Sequence, residues 1–107
     1  MQSFEMTALE TQRAASGKAW LEFLRVPALS VGVYHLAAGQ DDPQRPHTED
    51  EVYYVVAGRG RFRCGETVCD VAAGTVLFVE RLAEHRFCDI TEDLTILVVF
   101  APAEGSA

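Results

Sequence analysis

Positive charge is in short supply in this chain: nine Lys and Arg face sixteen Asp and Glu, for a formal net charge of −7. Duplex nucleic acid and anionic lipid surfaces are held mainly by clustered Lys and Arg, so neither is expected as a partner. Long apolar runs are missing as well. None approaches the roughly 20 residues that span a bilayer as a helix, and no membrane association is expected. Cysteine is sparse: Cys64, Cys69 and Cys88 form no C-x-x-C pair, and the opening MQSFEMTALETQ lacks the basic and apolar regions of a secretory signal. The expectation is a reducing cytoplasm with free thiols. No helix-turn-helix segment is evident, which sets aside a DNA-binding regulator.

What is present suits one globular domain. A chain of 107 residues, 49% hydrophobic and 23% charged, can bury about 60 to 70% of its unfolded surface around a single core. Residues 1–27 read as an N-terminal arm, irregular or one short helix ended by Ser16-Gly17, followed by a first short strand at Trp20, Leu21, Phe23 and Leu24 ahead of Pro27. Residues 28–102 read as the body and 103–107 as a tail. In the body, short runs of strand formers such as Leu29–Leu36, Glu51–Val56 and Leu94–Phe100 alternate with turns rich in Gly, Pro and Asp. Seven or eight short strands predict an all-β barrel or sandwich.

One stretch carries candidate chemistry: GQDDPQRPHTEDEVYYVVAG, from Gly39 to Gly58. His47 and Glu51 stand where a loop becomes a strand. Alternate strand side chains share a face, so their even separation aims both at one point. His85 follows a later strand and turn. Two imidazoles and one carboxylate form the facial set that leaves open positions on a divalent metal, non-haem Fe(II) first among them and Mn, Zn, Ni or Co acceptable. Glu49 lies in the same register and is either a fourth ligand, a base, or part of a solvated acidic run. Tyr53 shares the parity of Glu51 and is either a hydrogen-bond donor to a ligand or a satisfied core tyrosine. His35, with the parity of Val31 and Val33, is either interior or an ordinary strand histidine.

These residues resemble a cupin. That family's first motif reads G-x5-H-x-H-x3 or x4-E-x6-G, and Gly39, His47, Glu51 and Gly58 fall on it, with Arg45 at the first histidine position. The second motif reads G-x5-P-x-G-x2-H-x3-N; Gly74 and His85 match, while Glu80, Leu82 and Asp89 replace the proline, glycine and asparagine. The resemblance implies a double-stranded β-helix, or jelly-roll, barrel over 28–102 and a metal held by His47, Glu51 and His85. Arg45 either turns inward to pair with a substrate carboxylate or points to solvent. The implied activity is that of a metal-dependent enzyme, dioxygenase or isomerase in type, acting on a small anionic organic molecule; a non-catalytic module binding a small ligand or metal is the alternative. Open sheet edges and the habit of the family imply a homodimer, with Trp20–Leu24 as its contact.

Overall fold

The computed structural model describes all residues 1–107. The N-terminal arm is a helix, α1 (Met6–Ser16), stopped by Gly17 at φ 73°, whose N–H returns to the Ala14 carbonyl. Glycine adopts this left-handed cap without steric cost. Six strands follow: β1 (Trp20–Val26), β2 (Leu29–Leu36), β3 (Asp50–Cys64), β4 (Thr67–Ala72), β5 (Val76–Val79) and β6 (His85–Ala101). They form one antiparallel sheet in the order β1-β2-β6-β3-β4, with β5 also paired to β3. No helix is long and apolar enough to cross a membrane.

The strand count is lower than the sequence predicts because two elements are longer. Ala57–Gly60 and Asp89–Asp93 look like turns, yet β3 runs for 15 residues and β6 for 17 straight through them. The two pair along their whole lengths, from Asp50 opposite Ala101 to Cys64 opposite His85. Register shifts at Val55/Ala57, Ala57/Arg59 and Arg59/Arg61 absorb the polar and glycine residues as bulges, which bend a strand without ending it. That bend closes the barrel. Thirteen residues of straight strand would span about 40 Å, yet His85, opposite Cys64, lies in contact with Glu51.

The interior is built by alternation. Along β2 and β6 the inward pairs are Ser30 with Phe100, Gly32 with Val98, Tyr34 with Ile96 and Leu36 with Leu94, while β3 adds Glu51, Tyr53 and Val55, all buried. Trp20 also turns inward and covers Gly32, where an added Cβ would lie 2.2 Å from the indole. It therefore belongs to the barrel wall rather than to an outer contact. His35 has the opposite parity and lies outside the barrel, its Nδ1 3.6 Å from Glu10 of α1. On the outer face Val52, Tyr54, Val76 and Phe78 remain exposed across β3 and β5.

The two glycines that bound the Gly39–Gly58 stretch are constrained differently. Gly39 has φ +76° with open space around it; Gly58 has φ +102°, and a Cβ there would sit 2.2 Å from the Asp93 carbonyl oxygen of β6. Gly39→Ala should cost only the left-handed strain, about 1–2 kcal/mol. Gly58→Ala adds a backbone clash at the barrel's bend and should cost at least about 3 kcal/mol. Urea denaturation midpoints test this, and equal losses at the two positions would refute the packing argument.

Candidate metal centre

His47 comes from the end of the loop before β3, Glu51 is the second residue of β3, and His85 opens β6. The loop and the turn before β6 are stitched together at the backbone: Leu82 N–H donates to the His47 carbonyl at 2.7 Å, and Arg81 N–H to Asp50 Oδ1 at 2.8 Å. Leu82 adopts φ 65° and Asp89 φ 47°. These positions carry glycine and asparagine in the motif, the residues that adopt left-handed backbone at least cost. At Asp89 the cost is small, whereas Leu82 holds real strain.

Three donor atoms converge. Glu51 Oε1 lies 3.0 Å from His47 Nδ1 and 3.0 Å from His85 Nε2, and one ligand atom from each residue fits within a 4.8 Å cluster. His85 Nδ1 donates to the Ala83 carbonyl at 2.8 Å, which leaves Nε2 directed at the carboxylate. A carbonyl holding the far N–H is the usual way a ligating imidazole is oriented. Tyr53 Oη stands 2.9 Å from His85 Nε2.

The electrostatics follow from burial. Desolvation pushes the Glu51 pKa up, but hydrogen bonds with His47, His85 and Tyr53 outweigh it and bring the value down to about 2. His47 is raised by its hydrogen bond to Glu51 against the opposing effect of burial. For His85 burial is the largest influence and lowers the pKa, yet Glu51 and the Ala83 carbonyl together raise it. Burial and the Glu51 charge raise Tyr53 strongly, so its hydroxyl stays protonated.

Two buried polar atoms lack a hydrogen-bond partner: His35 Nδ1 outside the barrel and, at this cluster, the acceptor Glu51 Oε2. Such an orphan acceptor costs free energy unless something positive meets it. A divalent cation on the open side of the His47–Glu51–His85 cluster would satisfy it, and the N/O donor set suits a first-row metal.

The other expected site residues lie elsewhere or do different work. Arg45 is exposed and hydrogen-bonds to nothing in the barrel; the inward residue is its neighbour Gln44. Gln44 Oε1 accepts from Tyr53 Oη at 2.8 Å, and its Nε2 donates to Asp42 Oδ2 at 2.7 Å. Glu49 is only 1% exposed, but its carboxylate accepts from Thr48 and from the Ala107 N–H at 3.0 Å. Burial raises its pKa, and hydrogen bonds from Thr48, Gly105 and Ala107 more than offset that. Glu49 thus anchors the segment after β6 instead of joining the cluster. Tyr53 is a core residue whose hydroxyl reaches the cluster.

Three contributors carry no signal in the sequence. Asp42, 4% exposed, accepts from Tyr34 Oη at 2.8 Å and from the Phe87 N–H at 2.9 Å. Gln44 is the second. The third, Glu104, brings Oε2 to 3.5 Å from His47 Nε2; burial and the carboxylates of Glu22, Glu49 and Glu51 raise its pKa despite His47. A cavity of about 150 Å³ opens beside His47 between Trp20, Tyr34, Phe100 and Glu104. A second, of about 200 Å³, reaches His85 between Arg63, Glu84 and Arg86.

Comparison with known proteins places this geometry. The family model for the cupin domain matches residues 32–100. An uncharacterised protein of Streptomyces coelicolor is 47% identical over 105 residues, covering 98% of this chain and 100% of that protein. Among solved structures, a cupin 2 conserved barrel domain protein from Rhodopseudomonas palustris superposes with a TM-score of 0.70 at 23% identity, over 79% of this chain and 61% of that one. The DMSP lyase DddQ of Ruegeria pomeroyi gives 0.66 at 22% identity, over 71% of this chain and 39% of that one. The chain therefore spans less than two thirds of the first structure and well under half of the second, and they speak to the fold alone.

The direction of the Glu51 shift sets an acid limit. A carboxyl whose pKa falls from 4.5 to about 2 on folding contributes stability above pH 4.5 that is lost as pH drops towards 2. Metal-free protein should therefore lose on the order of 2 kcal/mol between pH 5 and pH 3 from this group. Glu51→Gln should flatten that part of the profile. Urea midpoints across the interval decide the matter, and an unchanged slope in the variant would count against the buried carboxylate.

Proposed function

The chain belongs to the cupin domain family, and from that footing we propose that it binds one divalent metal through His47, Glu51 and His85 and takes a small organic ligand into the cavity beside His47. Fe(II) is the first choice of metal, with Mn, Zn, Ni and Co able to use the same donors. The orphaned Glu51 Oε2 carries this reading. A metal so held supplies Lewis-acid or redox chemistry, and dioxygenase or isomerase activity is the proposed class.

The residues around the cluster have distinct tasks. The Ala83 carbonyl fixes the His85 ring, and Tyr53 Oη holds a proton between His85 and Gln44. Asp42 fixes the Gln44 amide and so decides that its oxygen faces Tyr53. The small anionic substrate expected from Arg45 loses its support, since that side chain is exposed. One observation favours the second reading, a non-catalytic binding module: Glu49 and Asp42 are fully engaged in structural hydrogen bonds, which leaves no buried carboxylate free as a base.

A homodimer is part of the proposal, with its contact on the exposed Val52, Tyr54, Val76 and Phe78 in place of the Trp20–Leu24 segment, whose Trp20 packs over Gly32. A cytoplasmic setting that keeps the three thiols reduced completes it. Light scattering should give twice the chain mass for the wild type and the chain mass for Phe78→Glu; a monomeric wild type would remove the dimer.

Metal analysis tests the centre itself. Protein purified without added metal and then titrated should bind one equivalent. His47→Ala and His85→Ala should each weaken binding by more than roughly 100-fold, beyond the usual cost of losing an outer partner. Arg45→Ala should leave affinity within about threefold, because the side chain makes no contact with the cluster. A wild type that binds no divalent metal would refute the proposal.

A further inference from the structure

The cavity beside His47 has walls of an unusual kind. Trp20 stands nearly perpendicular to both neighbouring rings, at 71° to Tyr34 and 80° to Phe100, with centroids 6.4 and 6.0 Å away. The rings form a corner rather than a stack. Glu104 closes the remaining side. Its position is fixed by its own backbone, whose N–H donates to Ser30 Oγ at 2.9 Å and whose carbonyl accepts from Arg25 at 2.7 Å.

Charge in this corner is one-sided. Among the lining residues His47 alone can become cationic, and its ring is held between Glu51 and Glu104. Arg25, which reaches the Glu104 backbone, spends its guanidinium there and on Glu22. Three carboxylates sit on or directly behind these walls, Glu104 in the lining, Glu51 against His47 and Asp42 against Tyr34, with the His85 imidazole behind Glu51. A single divalent ion at the cluster neutralises two of them. The cavity stays negative with the metal bound, so it disfavours an anion in either state.

The hydrogen-bonding inventory narrows the class further. Tyr34 Oη is committed to Asp42, and both ends of the Gln44 amide are committed, to Tyr53 and to Asp42. Pro43, Val98 and Phe100 offer no side-chain acceptor, and Trp20 is a donor only. Glu104 is the one charged acceptor among the lining side chains, beside the lone pairs that Tyr34 Oη keeps after donating to Asp42. A primary ammonium group would have to align three N–H bonds on Glu104 and those lone pairs at once. A cation wrapped in alkyl groups needs no acceptors and gains from ring faces and from one neighbouring carboxylate.

From these walls we infer that the cavity binds a small alkylated organic cation, of the quaternary ammonium type, in the corner of Trp20, Tyr34 and Phe100 with Glu104 as its counter-ion. The volume of about 150 Å³ admits a headgroup and not an extended molecule. This ligand class rests on the ligand-binding barrel proposed above, and its charge is opposite to that expected from Arg45.

The chain has a single tryptophan, so Trp20 fluorescence reports on this cavity alone. Full-length protein, metal-free and Zn-loaded, would be titrated with choline, with 3,3-dimethylbutan-1-ol as its neutral counterpart of the same shape, with ethanolamine and with trimethylacetate. Choline should saturate in both forms and bind at least about tenfold tighter than any of the other three. Glu104→Gln should weaken choline about tenfold and leave the neutral alcohol unchanged. Phe100→Leu should weaken both, with circular dichroism checking that each variant folds. Equal affinity for the alcohol, a preference for trimethylacetate, ethanolamine binding as tight as choline, or no saturable signal in folded wild type would each overturn the inference. Metal stoichiometry is measured separately, so a metal-free protein that binds choline would reject the metal centre alone, and a metal-binding protein indifferent to choline would reject the cation site alone.

Discussion

The candidate site exists because the β3–β6 ribbon bends. Glu51 and His85 lie at opposite ends of two strands paired along their full length, and in a flat ribbon they would be far apart. Three register shifts and the missing Cβ of Gly58, against the Asp93 carbonyl, let the ribbon curl until its ends meet. Everything else at the centre presupposes that closure. The Glu51 carboxylate is buried because the barrel shuts over it, and its low pKa arises because the bend delivers His85 as a second hydrogen-bond partner to a carboxylate already beside His47.

Burial and polarity are balanced within that closure by a connected set of side chains. From Tyr34 the contacts run through Asp42, Gln44 and Tyr53 to His85, Glu51 and His47, and end at Glu104. A buried network of this kind is stable only when its members are satisfied. The departure from satisfaction within it is Glu51 Oε2, on the same carboxylate whose Oε1 meets both imidazoles. The network therefore marks the place where a positive charge fits, without reference to any motif.

Much of this was legible in the sequence, for physical reasons that differ by residue. The pair His47 and Glu51 could be read because a strand's period of two makes even spacing informative, and His85 because it falls on the histidine of the second cupin motif counted from Gly74. Leu82 and Asp89 depart from the motif in identity and take positive φ, the backbone that the motif's glycine and asparagine adopt at least cost. The long strands were not legible. Gly58 and the acidic run at Asp89–Asp93 have the local chemistry of turns, and only pairing with a partner strand makes them bulges. Asp42, Gln44 and Glu104 were likewise hidden, since they sit outside regular elements and their positions are set by distant partners: Phe87 for Asp42, Tyr53 for Gln44, Ser30 for Glu104. Arg45 stayed open between inward and solvent because a motif position fixes where a residue sits in the chain but not where its side chain turns; it is exposed.

The segment after β6 supplies a wall of the cavity while contributing no strand to the sheet. Glu104 faces His47, Ala103 is buried, and the Ala107 N–H holds the Glu49 carboxylate. Molecular recognition is thereby partly uncoupled from folding. Exchanging Glu104 for a neutral or basic residue would change the charge of that wall without altering the β3–β6 pairing that curls the ribbon or the positions of the two imidazoles.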